Sequence, residues 1–184
     1  MPAFTPPTIE GVGLCLRPVQ IGDAAYIHGL RVDPAYNRHL SQVTGTVADQ
    51  RAWIERYKAR EAAGGEVYYL ITRKDGLPCG TVRLYDIAGS RFTWGSWILD
   101  QNKPPKAALE SALRVYEIGF HRLGCATSAF DVRRDNARTL AFHRRFGARQ
   151  TGEDDENIYF HYTRDRFEAD RAAYLSLLAQ QDRE

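Results

Sequence analysis

The sequence predicts an α/β domain built on a mixed, mostly antiparallel sheet flanked by helices, and three stretches carry that expectation. Residues 67–99 hold three apolar runs joined by Lys74-Asp75-Gly76 and Ala88-Gly89-Ser90, which marks a meander of antiparallel strands. Residues 107–123 set Leu109, Ala112, Leu113, Tyr116, Phe120 and Leu123 along one helical stripe, ended by Gly124. Residues 130–148, FDVRRDNARTLAFHRRFGA, run from a strand into a short helix. Phe130 and Val132 alternate there with Asp131 and Arg133, Asp135 or Asn136 can cap the helix, and Gly147 stops it.

The other elements follow in chain order. Residues 1–11 form a proline-rich N-terminal arm, and residues 12–19 a first strand closed by Pro18 and Gly22-Asp23. Asp23 can cap a helix carrying Ala24, Ile27, His28, Leu30 and Arg31, which Pro34 prevents from running on. Residues 33–45 make a polar loop long enough to be a functional one. Thr46 and Asp49 form a capping box for a helix over residues 47–63, with Trp53, Ile54 and Tyr57 on one side. After the meander and the striped helix come a strand at 125–133, a helix at 136–146, and strands near 148–151 and 156–162. Residues 164–179 read as a terminal helix with Phe167, Tyr174 and Leu178 inward. The chain thus divides into the arm, one domain over residues 12–163, and a helix over 164–184 appended to it.

Composition sets the outer bounds. The 184 residues suffice for one domain with a substantial core, and 43% hydrophobic with 26% charged residues is ordinary for a soluble protein. A net charge of +2 argues against any general affinity for nucleic acid or acidic membranes. Cys15, Cys79 and Cys125 lie far apart, with neither a metal-ligand spacing nor a paired framework, so they are expected as free thiols and no metal is expected. No apolar run approaches the roughly 20 residues that span a bilayer. The start, MPAFTPPTIEG, lacks the basic flank and apolar segment of a signal peptide, and a cytoplasmic location is expected.

The spacing of Asn136, His143 seven residues on and Gly147 four further resembles the asparagine-to-Tyr-x-x-x-Gly-Phe segment of the GNAT superfamily of acyl-CoA N-acyltransferases. His143 stands where that segment has tyrosine, and Ala148 where it has phenylalanine. The order of strand, two helices, meander, helix, strand, helix and two strands is the GNAT order over residues 12–163. The resemblance implies a sheet that splits to admit acyl-CoA, and acetyl-CoA as cosubstrate. It also implies direct transfer to an amine in a ternary complex, with proximity supplying much of the rate.

Residue by residue, the resemblance places Asn136 and Phe142 against coenzyme A and His143 where the departing thiolate is reprotonated. Histidine can do such work near neutrality, yet His143 shares a face with Phe142 and Phe146, as a packed core histidine would. Gly95-Ser96 falls where the family has a strand bulge whose freed N–H meets the thioester carbonyl, and Ser96 is a second candidate donor to the thiolate. Trp97, Ile98 and Leu99 match the stretch that pairs with the pantetheine arm. The loop before the striped helix corresponds to the family's pyrophosphate cradle, a helix N-terminus suited to anions. Pro104, Pro105 and Ala107 occupy the cradle's Arg and Gly positions, leaving the amides of Lys106, Ala107, Ala108 and Leu109 and the charges of Lys103 and Lys106 to hold the phosphates.

No acid lies within residues 92–99, the strand on which some family members carry a base. Asp86, Asp131 and Glu110 are the nearest by topology, with Asp86 the first candidate base. The acceptor pocket is expected from Arg31, Tyr36, Asn37, His39, Tyr68, Tyr85 and Trp94, types suited to a hydroxylated ring. Among relatives, the VRLYDI, FTWGSWIL and FDVR stretches look most like acyltransferases that act on nucleotide-linked amino sugars, so the favoured partner is a small-molecule amine of that kind. Two alternatives stand beside it: acetylation of a protein N-terminus, as by ribosomal-protein acetyltransferases, and a non-catalytic binding module. The terminal helix offers a contact for a homodimer.

Overall fold

A computed structural model describes residues 4–180, in which eight strands form one sheet in the order β1-β2-β3-β4-β5-β6-β8-β7. The short strand β1 (Ile9–Glu10) pairs with β2 (Leu14–Pro18), so the arm's last residues belong to the sheet and not to a loose tail. The 3-10 turn Ile21–Asp23 leads into α1 (Ala24–Val32), and α2 (Pro34–Asn37) follows as a single turn opened by Pro34. Asp23 does not cap α1 with its side chain. Arg17 grips both of its carboxylate oxygens at 2.8 Å, and the Gln20 amide donates to it at 2.7 Å.

Helix α3 (Val47–Ala62) begins with the expected capping box of Thr46 and Asp49. Strands β3 (Val67–Arg73), β4 (Pro78–Ala88) and β5 (Arg91–Leu99) form the antiparallel meander. Helix α4 (Ala107–Glu117) carries the apolar stripe, but the helix does not run on to residue 123 as an α-helix, because Ile118–Arg122 form a π turn. Strand β6 (Thr127–Arg133), helix α5 (Ala137–Phe146), strands β7 (Arg149–Glu153) and β8 (Asn157–Thr163), and helix α6 (Arg164–Ala179) complete the chain. Asn136 is the residue that caps α5, accepting from the Thr139 amide at 3.3 Å, and Gly147 ends α5 at φ +104.

The larger core lies between the sheet and α4, α5 and α6, centred on Tyr116, Phe92, Phe120, Phe160, Tyr162 and Phe167. A smaller one, with Ile27, Ile54, Tyr57 and Leu70, lies under α1 and α3 on the other face. The terminal helix packs against the larger core. Phe167 and Leu178 are buried, the Tyr174 ring stacks on Phe146 at 4.3 Å, and Arg171 reaches Glu117 at 2.7 Å. Residues 181–184 of the expected terminal segment and residues 1–3 of the arm lie outside the described residues. Among the described residues no helix is long and apolar enough to cross a membrane, and no cluster of His, Cys, Asp and Glu could hold a metal ion.

Glu110 has a structural part that its acidity alone does not suggest. Only 3% exposed on α4, it accepts the amides of Val12 at 2.5 Å and Gly13 at 2.9 Å, tying the β1–β2 turn to the helix start. Arg114 lies 3.9 Å away on the next turn and shares the compensation of its charge. Glu110→Ala removes both acceptors and is expected to cost about 2 kcal/mol of stability, read as a lowered urea midpoint at unchanged slope. An unshifted midpoint would show that the turn holds without it.

Candidate active site

The site arises from a strand pair that does not stay paired. Strands β5 and β6 run parallel but match only at Arg91 with Thr127 and Phe92 with Ser128, and beyond Phe92 they part. Side chains from both arms fill the apex. Trp94 and Phe130 lie 5.7 Å apart between ring centres, and His143 from α5 packs 4.5 Å from Phe130 and 5.3 Å from Trp94. The cleft that opens from this apex holds about 500 Å³ and is lined by Trp94–Leu99 on one side and Phe130–Arg133, Asn136, Thr139 and His143 on the other.

On the β4 side, β5 carries a bulge. Thr81 pairs with Ile98 but Arg83 pairs with Gly95, so Ser96 and Trp97 together stand opposite Val82. Ser96 is turned to φ +47, and its carbonyl accepts from the Thr81 hydroxyl at 3.1 Å. Gly80 permits this approach, since a Cβ there would lie 2.2 Å from the Ile98 carbonyl. The bulge is therefore Ser96-Trp97, one residue beyond the expected Gly95-Ser96, and both of its residues line the cleft.

His143 is a buried member of the wall, 3% exposed, and its Nδ1 has no hydrogen-bond partner among the described residues. Burial in this ring cage pushes its pKa down to about 3, so the imidazole is neutral at physiological pH. Both indoles of the wall are spent inward, Trp94 Nε1–H toward the Tyr116 hydroxyl at 3.3 Å and Trp97 Nε1–H toward the Ser111 hydroxyl at 3.1 Å. They offer ring faces and edges, not donors, to a ligand.

The mouth is tied shut on one side by loops. The His39 ring meets the Asp135 carboxylate at 3.0 Å, joining the segment after α2 to the turn before α5. Tyr36 accepts the Gln101 amide at 3.1 Å, and Asp100 accepts Tyr26 O–H at 2.8 Å and the Asn102 amide at 2.7 Å. These contacts fix the loop between β5 and α4 against α1 and α2. At the start of α4 the Ala107 amide turns back to the Pro104 carbonyl at 3.3 Å, so it is not the open donor the sequence suggested. Lys106, at φ +62, donates its ammonium to the Gln180 carbonyl at the end of α6.

A family model described as an acetyltransferase (GNAT) domain matches residues 13–149. The chain belongs to the GNAT acetyltransferase family. Among curated proteins no sequence matches it. Among solved structures it is similar to apo FdhC, described as a nucleotide-linked sugar GNAT, at 40% identity and TM-score 0.88, covering 95% of this chain and 100% of that one. It also shares its fold with RimJ of Mycobacterium smegmatis, solved with CoA-disulfide, at 18% identity and TM-score 0.81, covering 96% and 97% of the two chains. A GCN5-related N-acetyltransferase from Brucella melitensis matches at 17% identity and TM-score 0.80, over 100% and 90%. The protein is thus an acyltransferase acting on an amino group.

Within this GNAT domain the structure gathers Ser96, Trp97, Ile98, Leu99, Asn136, His143, Arg31, Tyr36, Tyr85 and Trp94 around one cleft. Phe142 stands just behind, its ring 5.2 Å from Trp97. Lys103, Lys106, Ala107 and Ala108 lie beyond the cleft's lining, at the loop and helix start that follow β5. Asn37 is turned away, its amide donating to the Arg31 carbonyl at 3.2 Å. Asp86 is exposed at φ +48 near the end of β4 and does not line the cleft. The acid that does is Asp131 on β6, whose charge, after burial, helps hold the Tyr85 hydroxyl above its usual pKa. Alternation along β6 was the available signal, because it turns Asp131 to the face opposite Phe130 and Val132.

The low pKa of His143 has a consequence for stability. Unfolded, the ring protonates near 6.5, while folded it stays neutral to about 3, so stability falls as pH drops between these values. From pH 7 to pH 5 this one group should remove about 2 kcal/mol. Urea titrations of the wild type and His143→Phe at both pH values should show the variant losing about that much less. Equal losses would mean the ring is not held neutral.

Proposed function

We propose that the protein transfers the acetyl group of acetyl-CoA to the amine of a nucleotide-linked amino sugar, by direct attack within a ternary complex. The observation that carries this is the similarity to a nucleotide-linked sugar GNAT at 40% identity over 95% of the chain, joined to a bulged, splayed β5 with a polar acceptor chamber beside it. The cleft fits the thioester cosubstrate. The β5 edge beyond Phe92 has no β6 partner, so its amides and carbonyls are free to pair with the amides of a pantetheine arm. Acetyl-CoA supplies an acyl group activated as a thioester, and the protein positions and polarises it.

The bulge leaves a backbone N–H of the Ser96–Trp97 pair outside the β4–β5 ladder, where it can meet the carbonyl oxygen as negative charge grows on it. The wall of Trp94, Trp97, Phe130 and His143 excludes water from that oxygen, which strengthens the contact. His143 is neutral and so contributes shape, not a labile imidazolium proton. Asp131, exposed across from Tyr85, takes the proton that the attacking amine sheds as its nitrogen bonds to the acyl carbon, and the C–S bond breaks to release coenzyme A as a thiolate that is protonated from solvent. Lys103 and Lys106 lie beyond the cleft where the phosphates of coenzyme A would emerge.

Thiol release from acetyl-CoA should accelerate with a nucleotide-linked amino sugar and not with a peptide bearing a free N-terminal alanine. The reverse preference would replace the sugar with a protein N-terminus. Asp131→Asn should lower kcat about 100-fold near pH 7.5 while calorimetry finds acetyl-CoA affinity unchanged. A kcat within twofold of wild type would remove the carboxylate from the proton's path.

A further inference from the structure

A second chamber, of about 390 Å³, adjoins the cleft and shares Arg31, Ser41, Arg83 and Ser96 with it. Its walls come from α1, the segment 41–44, α3 and the centre of the meander, and apart from Ser96 the acyl-transfer chemistry above does not use the residues that line it from these elements. Three arginines line it: Arg31 from α1, Arg56 from α3 and Arg83 from β4. They are 25 and 27 residues apart in sequence, so no motif announces them.

The charges in this chamber do not balance. Arg31 directs Nη2 to the Ser41 carbonyl at 2.9 Å and hydroxyl at 3.0 Å, both neutral acceptors, and its buried Nε has no hydrogen-bond partner among the described residues. Arg83 is held between the rings of Tyr85, at 4.6 Å, and Trp53, at 5.9 Å, and its buried Nε is likewise unpartnered. The carboxylate nearest Arg83 is Glu66 at 3.6 Å, which Arg60 also engages. The one acid in the chamber's lining, Asp49, is committed to the cap of α3, accepting the Thr46 amide at 2.7 Å and its hydroxyl at 3.0 Å. Burial, with the neighbouring Arg83 charge adding to it, draws the Arg31 pKa below its usual value despite the opposing influence of Tyr68.

Cations gathered with their donors unmet are costly unless an anion completes them, and guanidinium forks suit the oxygens of phosphate. We infer that this chamber is the acceptor's diphosphate subsite: Arg31, Arg56 and Arg83 hold the two phosphates of a nucleoside-diphosphate sugar. The sugar ring then extends toward Ser96, where the chamber opens into the cleft and the thioester lies. This rests on the acceptor reading above and deepens it. The geometry gives the enzyme its measure, because only an acceptor whose amine stands one sugar ring from a diphosphate reaches both sites. Phosphate groups also belong to coenzyme A, and the test separates the two sources.

The experiment compares wild type with Arg56→Met and Arg83→Met, each checked for an unchanged melting profile. Arg56 is exposed, so that variant carries little risk to folding. The readouts are KM for a nucleoside-diphosphate amino sugar, the rate with the free amino sugar, and the calorimetric Kd of acetyl-CoA. We expect KM for the nucleotide-linked acceptor to rise about ten- to a hundredfold in each variant, from the loss of a charge-assisted contact. Its advantage over the free sugar should collapse, with the acetyl-CoA Kd within twofold of wild type. Weakened acetyl-CoA binding with an unchanged acceptor KM would assign the arginines to coenzyme A and overturn the inference. A wild type that prefers the nucleotide-linked acceptor, with variants that keep that preference in full, would overturn the inference and leave the acceptor reading standing. A wild type with no preference for the nucleotide-linked acceptor would overturn both.

Discussion

Everything in the site follows from the parting of β5 and β6 after two residue pairs. A strand inside a sheet normally spends its backbone groups on both neighbours, and leaving an interior edge unpaired is costly unless something else satisfies it. Here the cost falls on residues 93–99, which remain bonded to β4 on one side and open on the other. What holds the strands apart is bulk. Trp94, Phe130 and His143 meet at the apex, backed by Tyr116 and Phe146 from the two helices, and this close-packed wedge stands between the two strands. The sheet keeps a gap because its core is packed to require one.

Two arms held apart must also be held in place. On the β5 side Asp100 is the anchor, binding Tyr26 of α1 and the turn that leads to α4. On the β6 side the His39–Asp135 contact reaches across to the segment after α2. That segment, residues 38–46, therefore borders both chambers, with Ser41 on the wall that they share. Under the proposed function this single polar loop positions the acceptor against the cosubstrate, and its length matches the span it covers.

The sequence announces features that rest on local chemistry. Thr46 with Asp49, Asn136 with Thr139, and Gly147 each act within one turn of backbone, and each is found where spacing places it. Gly95 likewise pointed to the bulge, which begins at the next residue, although a glycine can also simply relieve crowding in an aromatic strand. Long-range competition erased other expectations. Asp23 was drawn from its helix to Arg17, and Glu110 was claimed by the β1–β2 turn 97 residues away. Alternation along β6 sets Asp131 apart from Phe130 and Val132, but that Asp131 and not Asp86 lines the cleft depends on how β6 stands across from β5, which no local pattern encodes. Of the arginine chamber, Arg31, Tyr68 and Ser96 were legible, but not Arg56 and Arg83, which enter from α3 and β4.

The two chambers divide the electrostatic work. At the apex the environment is apolar enough to keep His143 neutral, so negative charge developing on a thioester oxygen meets few competing solvent dipoles and a backbone N–H counts for more. A cation placed there would stabilise the same charge but would also repel the incoming amine in its protonated form and hold back its deprotonation. Arg31 and Arg83 lie on the wall that the two chambers share and Arg56 lines the second chamber alone, so under the proposed function they hold an anionic handle beside the aromatic apex and not within it. Binding energy drawn from that handle can then orient an otherwise weakly held amine, which is the use of remote contacts that raises kcat and not affinity alone. Uncompensated charge at a distance and neutrality at the reacting centre are, on this view, two halves of one arrangement.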